Sequence, residues 1–497
     1  MLDLALFPEE TLDPADWDGF RGLAHRMLDD ALDYQQTLRQ RPVWQPVPAA
    51  AKAALDQPLP QEPQDAEAVY EDFRSHVLPY PMGNIHPRFW GWVMGGGTPF
   101  GAMAELLAAT MNPNLGGGDH GGVYVERQVL DWCKQMLGFP ATASGLLVSG
   151  GSMANFVALA AARNTQAEFD LRASGLTAAP RRMVLYASSE VHNSVLKAAQ
   201  LLGLGEEGVR RIPVDGEYRL VIPALAAAIA ADRAAGRLPF CVVGCAGTVN
   251  TGAFDDLEAL AALCQRENLW FHVDGAFGAL AAIAPGLEHL TAGMEAADSV
   301  AFDLHKWLYM PFEIGCVLVR DAAAHRQTFA HTPAYLAHHD RGVAGGDLWF
   351  SDYGLQLTRG FRALKAWMSL KEHGVAKYGR LIRQNVDQAG YLAGLVDAAP
   401  DLERLAPAPL NIVCFRYNPG GLDDAELNAL NQEILFELHE RGLAVPTYTT
   451  LGGKYALRVA NTNHRSRRED FDLLVESVRR LGPELRATGR GQEPAHA

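Results

Sequence analysis

Lys306 stands next to His305 in the run Asp303-Leu304-His305-Lys306-Trp307. Asp274 lies 32 residues upstream, within His272-Val273-Asp274-Gly275-Ala276, at the end of an apolar stretch. A lysine inside apolar sequence rarely lacks a task, since burying its ammonium is costly. Such a lysine can hold an aldehyde cofactor as a Schiff base. An acid closing an apolar strand needs a cationic partner to offset its desolvation, and a protonated pyridine nitrogen is one. The pair therefore points to pyridoxal phosphate.

Further motifs lie where such a cofactor would need them. Ser149-Gly150-Gly151-Ser152-Met153-Ala154-Asn155 follows the apolar run Leu146-Leu147-Val148 and opens a helical pattern. Glycines there let backbone approach a phosphate, and a helix N-terminus offers free N–H groups. The run matches neither GxGxxG nor GxxxxGK[ST], so dinucleotide and P-loop chemistry gain no support. His192, in Glu190-Val191-His192-Asn193-Ser194, and Thr248 each come just after an expected strand. That is the end of the strand where open α/β sheets bind ligands.

The elements that must carry these residues are strands alternating with helices. Met183–Tyr186, Phe240–Cys245, Leu269–Val273 and Cys316–Val319 are short apolar runs, suited to strands covered on both faces of a mainly parallel sheet. Helical stretches at 153–163, 191–202 and 255–267 separate them. After residue 375, Asn411–Tyr417 and Tyr455–Val459 alternate as half-exposed strands do, with helices expected at 423–441 and 467–481. Residues 15–40 read as an amphipathic helix and 66–78 as another short helix, with proline-rich sequence between them. These patterns divide the chain into an arm (1–95) that packs on a partner subunit, a large domain (96–375), a small α+β domain (376–485) and a polar tail (486–497).

Composition excludes several roles. Net charge is −15, from 43 basic and 58 acidic residues, which disfavours nucleic acid and anionic membrane as partners. The cluster Arg465, Arg467 and Arg468 is broken by acids and reads as a solvated helix face. No window approaches 18 unbroken apolar residues, and Met1-Leu2-Asp3 with Glu9 and Glu10 is unlike a signal peptide. Cys133, Cys241, Cys245, Cys264, Cys316 and Cys414 lie in apolar segments without CxxC spacing, as buried thiols of a cytoplasmic protein do. No metal site is expected; His338-His339-Asp340 reads as solvated loop.

The ordered set Ser149–Asn155, Ser188–Ser194, Gly247–Asp255, His272–Ala276 and His305-Lys306-Trp307 resembles the group II pyridoxal phosphate decarboxylases. His86-Pro87-Arg88-Phe89-Trp90 resembles that family's N-terminal segment. Leu457-Arg458-Val459 and Asn463-His464-Arg465 resemble its small domain, so the likeness covers nearly the whole chain. It implies an aspartate-aminotransferase-like α/β fold (fold type I): a mainly parallel seven-stranded sheet with helices on both faces, plus the small C-terminal domain. It implies a homodimer with sites at the interface. By the same resemblance Lys306 holds the cofactor covalently, Asp274 binds the ring nitrogen, and Ala276 and His192 lie on opposite ring faces. Gly151, Ser152, Asp303 and His305 take the phosphate, although relatives often carry asparagine in place of Asp303. Thr248 lies near the ring substituents, and Arg458 grips a substrate carboxylate. Tyr335, in Pro333-Ala334-Tyr335-Leu336, returns a proton to the substrate carbon.

The reaction implied is decarboxylation of an L-amino acid to its amine. Phe89–Met94, with Trp92, matches a region of aromatic pocket walls and favours an aromatic or other neutral substrate. Gly95-Gly96-Gly97 and the loop Asn112–Gly122, with His120, are expected to reach the neighbouring subunit's site. Alternatives are an acidic amino acid (glutamate, aspartate or cysteine sulfinate) or diaminobutyrate as substrate, aminotransferase or aldehyde-synthase chemistry, and a non-catalytic cofactor-binding homologue. Tyr335 argues against the aldehyde synthase. The presence of Lys306, Asp274 and His192 together argues against the non-catalytic homologue.

Overall fold

The computed structural model describes residues 10–331 and 341–488. Seven strands build the main sheet: β1 (Ser144–Val148), β2 (Met183–Ser188), β3 (Val209–Ile212), β4 (Leu238–Cys245), β5 (Trp270–Asp274), β6 (Ser299–Asp303) and β7 (Gly315–Val319). Their order is β1-β7-β6-β5-β4-β2-β3. The run β6-β5-β4-β2-β3 is parallel. β7 runs antiparallel to both β6 and β1. Every residue of β2, β5, β6 and β7 is buried. Successive strand residues point to opposite faces, so full burial means that both faces are covered. β3 and β6 were not anticipated from sequence. Both are short, and runs of this length carry no periodicity that separates strand from helix.

The small domain holds an antiparallel sheet of β8 (Leu402–Arg404), β9 (Ile412–Tyr417), β10 (Thr447–Leu451) and β11 (Lys454–Ala460), ordered β10-β11-β9-β8. Helices Asp424–Glu440 and Arg468–Ala487 pack on it. The sequence suggested half-exposed strands here, but β9 is buried throughout. Its polar members are neutralised rather than solvated: Arg416 donates to Glu403 and Asp424, each at 2.8 Å. Further along the strand Cys414 meets the turn after β4, with Sγ 3.3 Å from Asn250 O.

The helix Trp17–Gln36 begins at Asp16, whose carboxylate accepts from the Asp18 and Gly19 amides, and it buries no residue. The later arm residues pack against the small domain of their own chain. Trp90 N donates to Val445 O at 2.9 Å, Ala460 N donates to Trp90 O at 3.0 Å, and the Trp90 ring stacks on Phe471. Arg465 donates to Gly96 O at 2.8 Å, so it is a half-buried clasp rather than part of a solvated helix face. Arg467 and Arg468 are exposed.

Candidate active site

β5 and β6 lie side by side in parallel register, so Asp274 and the turn after Asp303 emerge at one edge of the sheet. A cavity of about 360 Å³ opens there. Lys306, Asp274, His192, Ala276, Asp303 and His305 all line it, and Gly151 and Ser152 form its floor. Lys306 sits in the one-turn helix Leu304–Trp307 directly after β6. Its Nζ lies 2.9 Å from Asp303 Oδ2. Asp303 is buried, and its Oδ1 has no hydrogen-bond partner. A Cβ at Gly315 would come within 2.6 Å of that oxygen, so only glycine lets β7 pass the carboxylate.

The helix Gly151–Gln166 starts at the cavity wall. Its first amides have no intrahelical acceptor, and the positive end of its dipole faces the same space. His305 closes this corner, with Nδ1 2.9 Å from Ile314 O and its ring 4.6 Å from that of Phe312. Burial lowers the His305 pKa, so its imidazole favours the neutral form.

Asp274 is held from two sides. Ala276 N donates to Oδ1 at 3.2 Å and Asn155 Nδ2 donates to Oδ2 at 2.9 Å. Asn155 Nδ2 also reaches Ser194 Oγ at 2.9 Å, and Asn155 Oδ1 lies 2.9 Å from His272 Nε2. His192 caps the helix Asn193–Leu201, and its Nδ1 lies 2.8 Å from Ser194 Oγ. Burial lowers the His192 pKa against the pull of the Asp274 charge. His272 is pushed down to about 4 by the same cause.

Several expected site residues are not brought to this cavity. Thr248 is buried in its own turn, where its Oγ1 accepts from Ala253 N at 3.1 Å. Trp92 is half exposed, and His120 caps the helix Gly121–Met136 with Nε2 3.2 Å from Asn114 O. Arg458 is buried and donates to Trp92 O, Val249 O, Asn250 O and Thr447 Oγ1. A guanidinium has five N–H groups; with four in use, a bidentate grip on a carboxylate is closed to it. Gly95 does not extend away from its own chain: a Cβ there would lie 2.2 Å from His305 O, so this run braces the lysine turn. Tyr335 lies outside the described residues, as do His338 and His339.

Sequence reasoning gave no role to Asn155, Ser194 or His272, nor to Phe312 and Glu313, which also line the cavity. One signal was available. Asn155 interrupts an Ala-rich helix, and a buried amide there must find partners.

The donor set suits a phosphorylated pyridine aldehyde: a lysine, a fixed carboxylate, an imidazole wall and a helix N-terminus converge on one space. The pyridoxal-dependent decarboxylase conserved domain matches residues 48–418. The aromatic-L-amino-acid decarboxylase of Bacillus atrophaeus is 33% identical over 469 residues, covering 94% of this chain and 96% of that one. Oryza sativa TDC, solved with PLP and tryptamine, superposes with a TM-score of 0.88 at 28% identity, covering 96% of this chain and 100% of that one. Catharanthus roseus tryptophan decarboxylase, solved with L-tryptophan, gives 0.84 at 25% identity, covering 95% and 100%. A seven-stranded sheet that carries a lysine and an acid to one edge, matched along nearly its full length, places this chain in the family of pyridoxal-dependent decarboxylases, enzymes that use pyridoxal phosphate to release carbon dioxide from amino acids.

Proposed function

We propose that this decarboxylase acts on an aromatic L-amino acid. The observation that carries the substrate class is the cavity lining. Among the described residues it contains no arginine, and no lysine besides Lys306, while Phe312, Met153 and Glu313 contribute apolar and acidic surface. A side-chain carboxylate would find no cation there other than Lys306, which holds the cofactor, and would meet Glu313. The likeness to the Bacillus aromatic-L-amino-acid decarboxylase supports the same reading.

Pyridoxal phosphate, when bound, supplies the electron sink for the pair released as the carboxylate leaves. The chain does the rest. Lys306 holds the cofactor and yields its place to the substrate amine. Asp274 would bind the ring nitrogen, and Ala276 and His192 would bound the ring faces. Gly151, Ser152 and His305 would receive the phosphate, and Thr248 holds the turn after β4 through its bond from Ala253 N. Asp303 serves Lys306, whose Nζ it meets at 2.9 Å, rather than the phosphate, because a carboxylate and a phosphate repel. His192 orients the scissile carboxylate. Tyr335 delivers the proton to Cα.

We further propose a homodimer in the cytoplasm. Exposed apolar side chains on helix Trp17–Gln36 (Trp17, Phe20, Met27) and helix Pro99–Met111 (Phe100, Leu106, Leu107, Met111) support the dimer. Six buried, unpaired cysteines support a reducing compartment. No helix among the described residues is long and apolar enough to cross a membrane.

The test incubates purified, cofactor-supplemented enzyme with each of the twenty amino acids, DOPA, diaminobutyrate and cysteine sulfinate, scoring carbon dioxide and amine together. We expect stoichiometric amine and carbon dioxide from an aromatic substrate, and loss of both turnover and cofactor absorbance in Lys306→Ala. Best turnover with an acidic substrate would reject the substrate class. Intact absorbance and turnover in Lys306→Ala would reject the site.

A further inference from the structure

The buried polar groups behind the cavity fix one another's proton positions. Trp270 Nε1 can only donate, and it reaches Ser299 Oγ at 2.8 Å. The Ser299 proton is then available to His272 Nδ1, also at 2.8 Å, so His272 carries its own proton on Nε2. That proton points to Asn155 Oδ1. The orientation of the Asn155 amide is fixed independently, because the ionised Asp274 carboxylate can only accept and faces Nδ2. The second Nδ2 proton goes to Ser194 Oγ. Having accepted there, Ser194 turns its own proton to His192 Nδ1, which the Ser194 amide also approaches at 3.2 Å. His192 is left with its proton on Nε2.

We infer that Asn155 is a positioning residue that sets both walls of the cofactor site at once, orienting Asp274 directly and fixing His192 as the Nε2–H tautomer through Ser194. One amide, one turn into the helix that begins at the phosphate corner, thus links the group under the ring nitrogen to the group that faces the substrate carboxylate. Asp274 cannot rotate without breaking its bond to Asn155, nor His192 without breaking its bonds to Ser194. The inference rests on the placement of His192 and Asp274 proposed above. The charged groups that act on His192 are Asp274, Lys306, Asp303 and Lys197. All four stay in place in the variants below; Asn155→Asp adds a carboxyl of its own and is read for cofactor affinity alone, so the limb is compared only among the uncharged variants.

The test uses purified holoenzyme and the variants Asn155→Leu, Asn155→Asp, Ser194→Ala, Ser194→Thr and Asn155→Leu/Ser194→Ala. Cofactor affinity is measured by equilibrium dialysis, and kcat/KM is followed against pH. Asn155→Leu and Asn155→Asp are expected to weaken cofactor binding by about 10- to 100-fold, the span produced when a buried acceptor loses its donor. Ser194→Ala is expected to keep cofactor affinity while the acid limb of kcat/KM moves to higher pH, because loss of a donor to Nδ1 favours the protonated ring. Ser194→Thr restores the limb. The double variant shows no limb shift beyond that of Asn155→Leu alone, since both act on one path. Wild-type affinity in both Asn155 variants, an unmoved limb in Ser194→Ala, or additive limb shifts would each overturn the inference. If Asn155→Leu does not fold, Asn155→Asp and the Ser194 pair decide. His192→Ala and Asp274→Ala serve as controls: silence in both defeats the proposed placement itself, whereas silence confined to the Asn155 variants defeats only the hub.

Discussion

Arg458 shows how burial decides what a side chain can do. Its guanidinium reaches Trp92 O at 2.8 Å and Asn250 O and Thr447 Oγ1 at 3.3 Å, and it also donates to Val249 O. Burial pushes its pKa down to about 10, which leaves the charge intact at neutral pH. The residue ties the turn after β4 to the small domain and to the segment at Trp92. We expect Arg458→Met to strand three carbonyls at roughly 1–3 kcal/mol each. The thermal midpoint followed by circular dichroism should therefore fall, with kcat and stability declining together. A rise in KM at an unchanged midpoint would instead restore the carboxylate-gripping role that the sequence suggested.

The glycine-rich loop at 112–122 owes its course to a buried ion pair between elements. Arg359 Nη1 donates to Leu115 O at 2.8 Å, while Nη2 donates to Glu126 on helix Gly121–Met136 and to Leu147 O on β1 at 2.6 Å. Both partners are almost wholly buried. Breaking one half of such a pair leaves an uncompensated charge, which costs about 3–5 kcal/mol. Arg359→Met should lose stability of that order in urea unfolding. Arg359→Met/Glu126→Leu should recover most of it, since apolar replacements of buried pairs are often neutral. A double variant no more stable than the single one would show that the loop contacts, rather than the charge, dominate. The loop is therefore anchored to the sheet beside the phosphate turn.

At the scale of the whole molecule, two helices each present several exposed apolar side chains. Leu106 and Leu107 are about half exposed on Pro99–Met111, and Trp17, Phe20 and Met27 on Trp17–Gln36 are exposed as well. Exposed apolar side chains grouped on a helix are the surface that the proposed dimer would cover. We expect the wild-type chain to sediment at twice its 53.9 kDa mass. Leu106→Asp/Leu107→Asp should shift it toward the monomer, because two charges would be desolvated at the contact. A wild-type protein that sediments as a monomer would remove the dimer proposal and leave the intrachain site unaffected.

The order of strands and helices, the lysine, its acid and the glycine turn were legible in the sequence, because each depends on local residue type: apolar runs, helix starts, and a cation or anion where burial needs a partner. β3 and β6 were not legible, since their few residues hold no period. The half-exposed reading of β9 failed because Arg416 is neutralised by Glu403 and Asp424, partners contributed by neighbouring elements rather than by its own strand. Local pattern marked Arg458, Trp92, His120 and Thr248 as chemically apt. Only the tertiary structure decided that none of the four lines the cavity, because burial and hydrogen-bond satisfaction are set by what packs across the chain. The same holds for Asn155: its sequence position shows a polar residue in an apolar helix. Its meeting with Asp274, Ser194 and His272 exists only because β5, two helix starts and the sheet edge converge there.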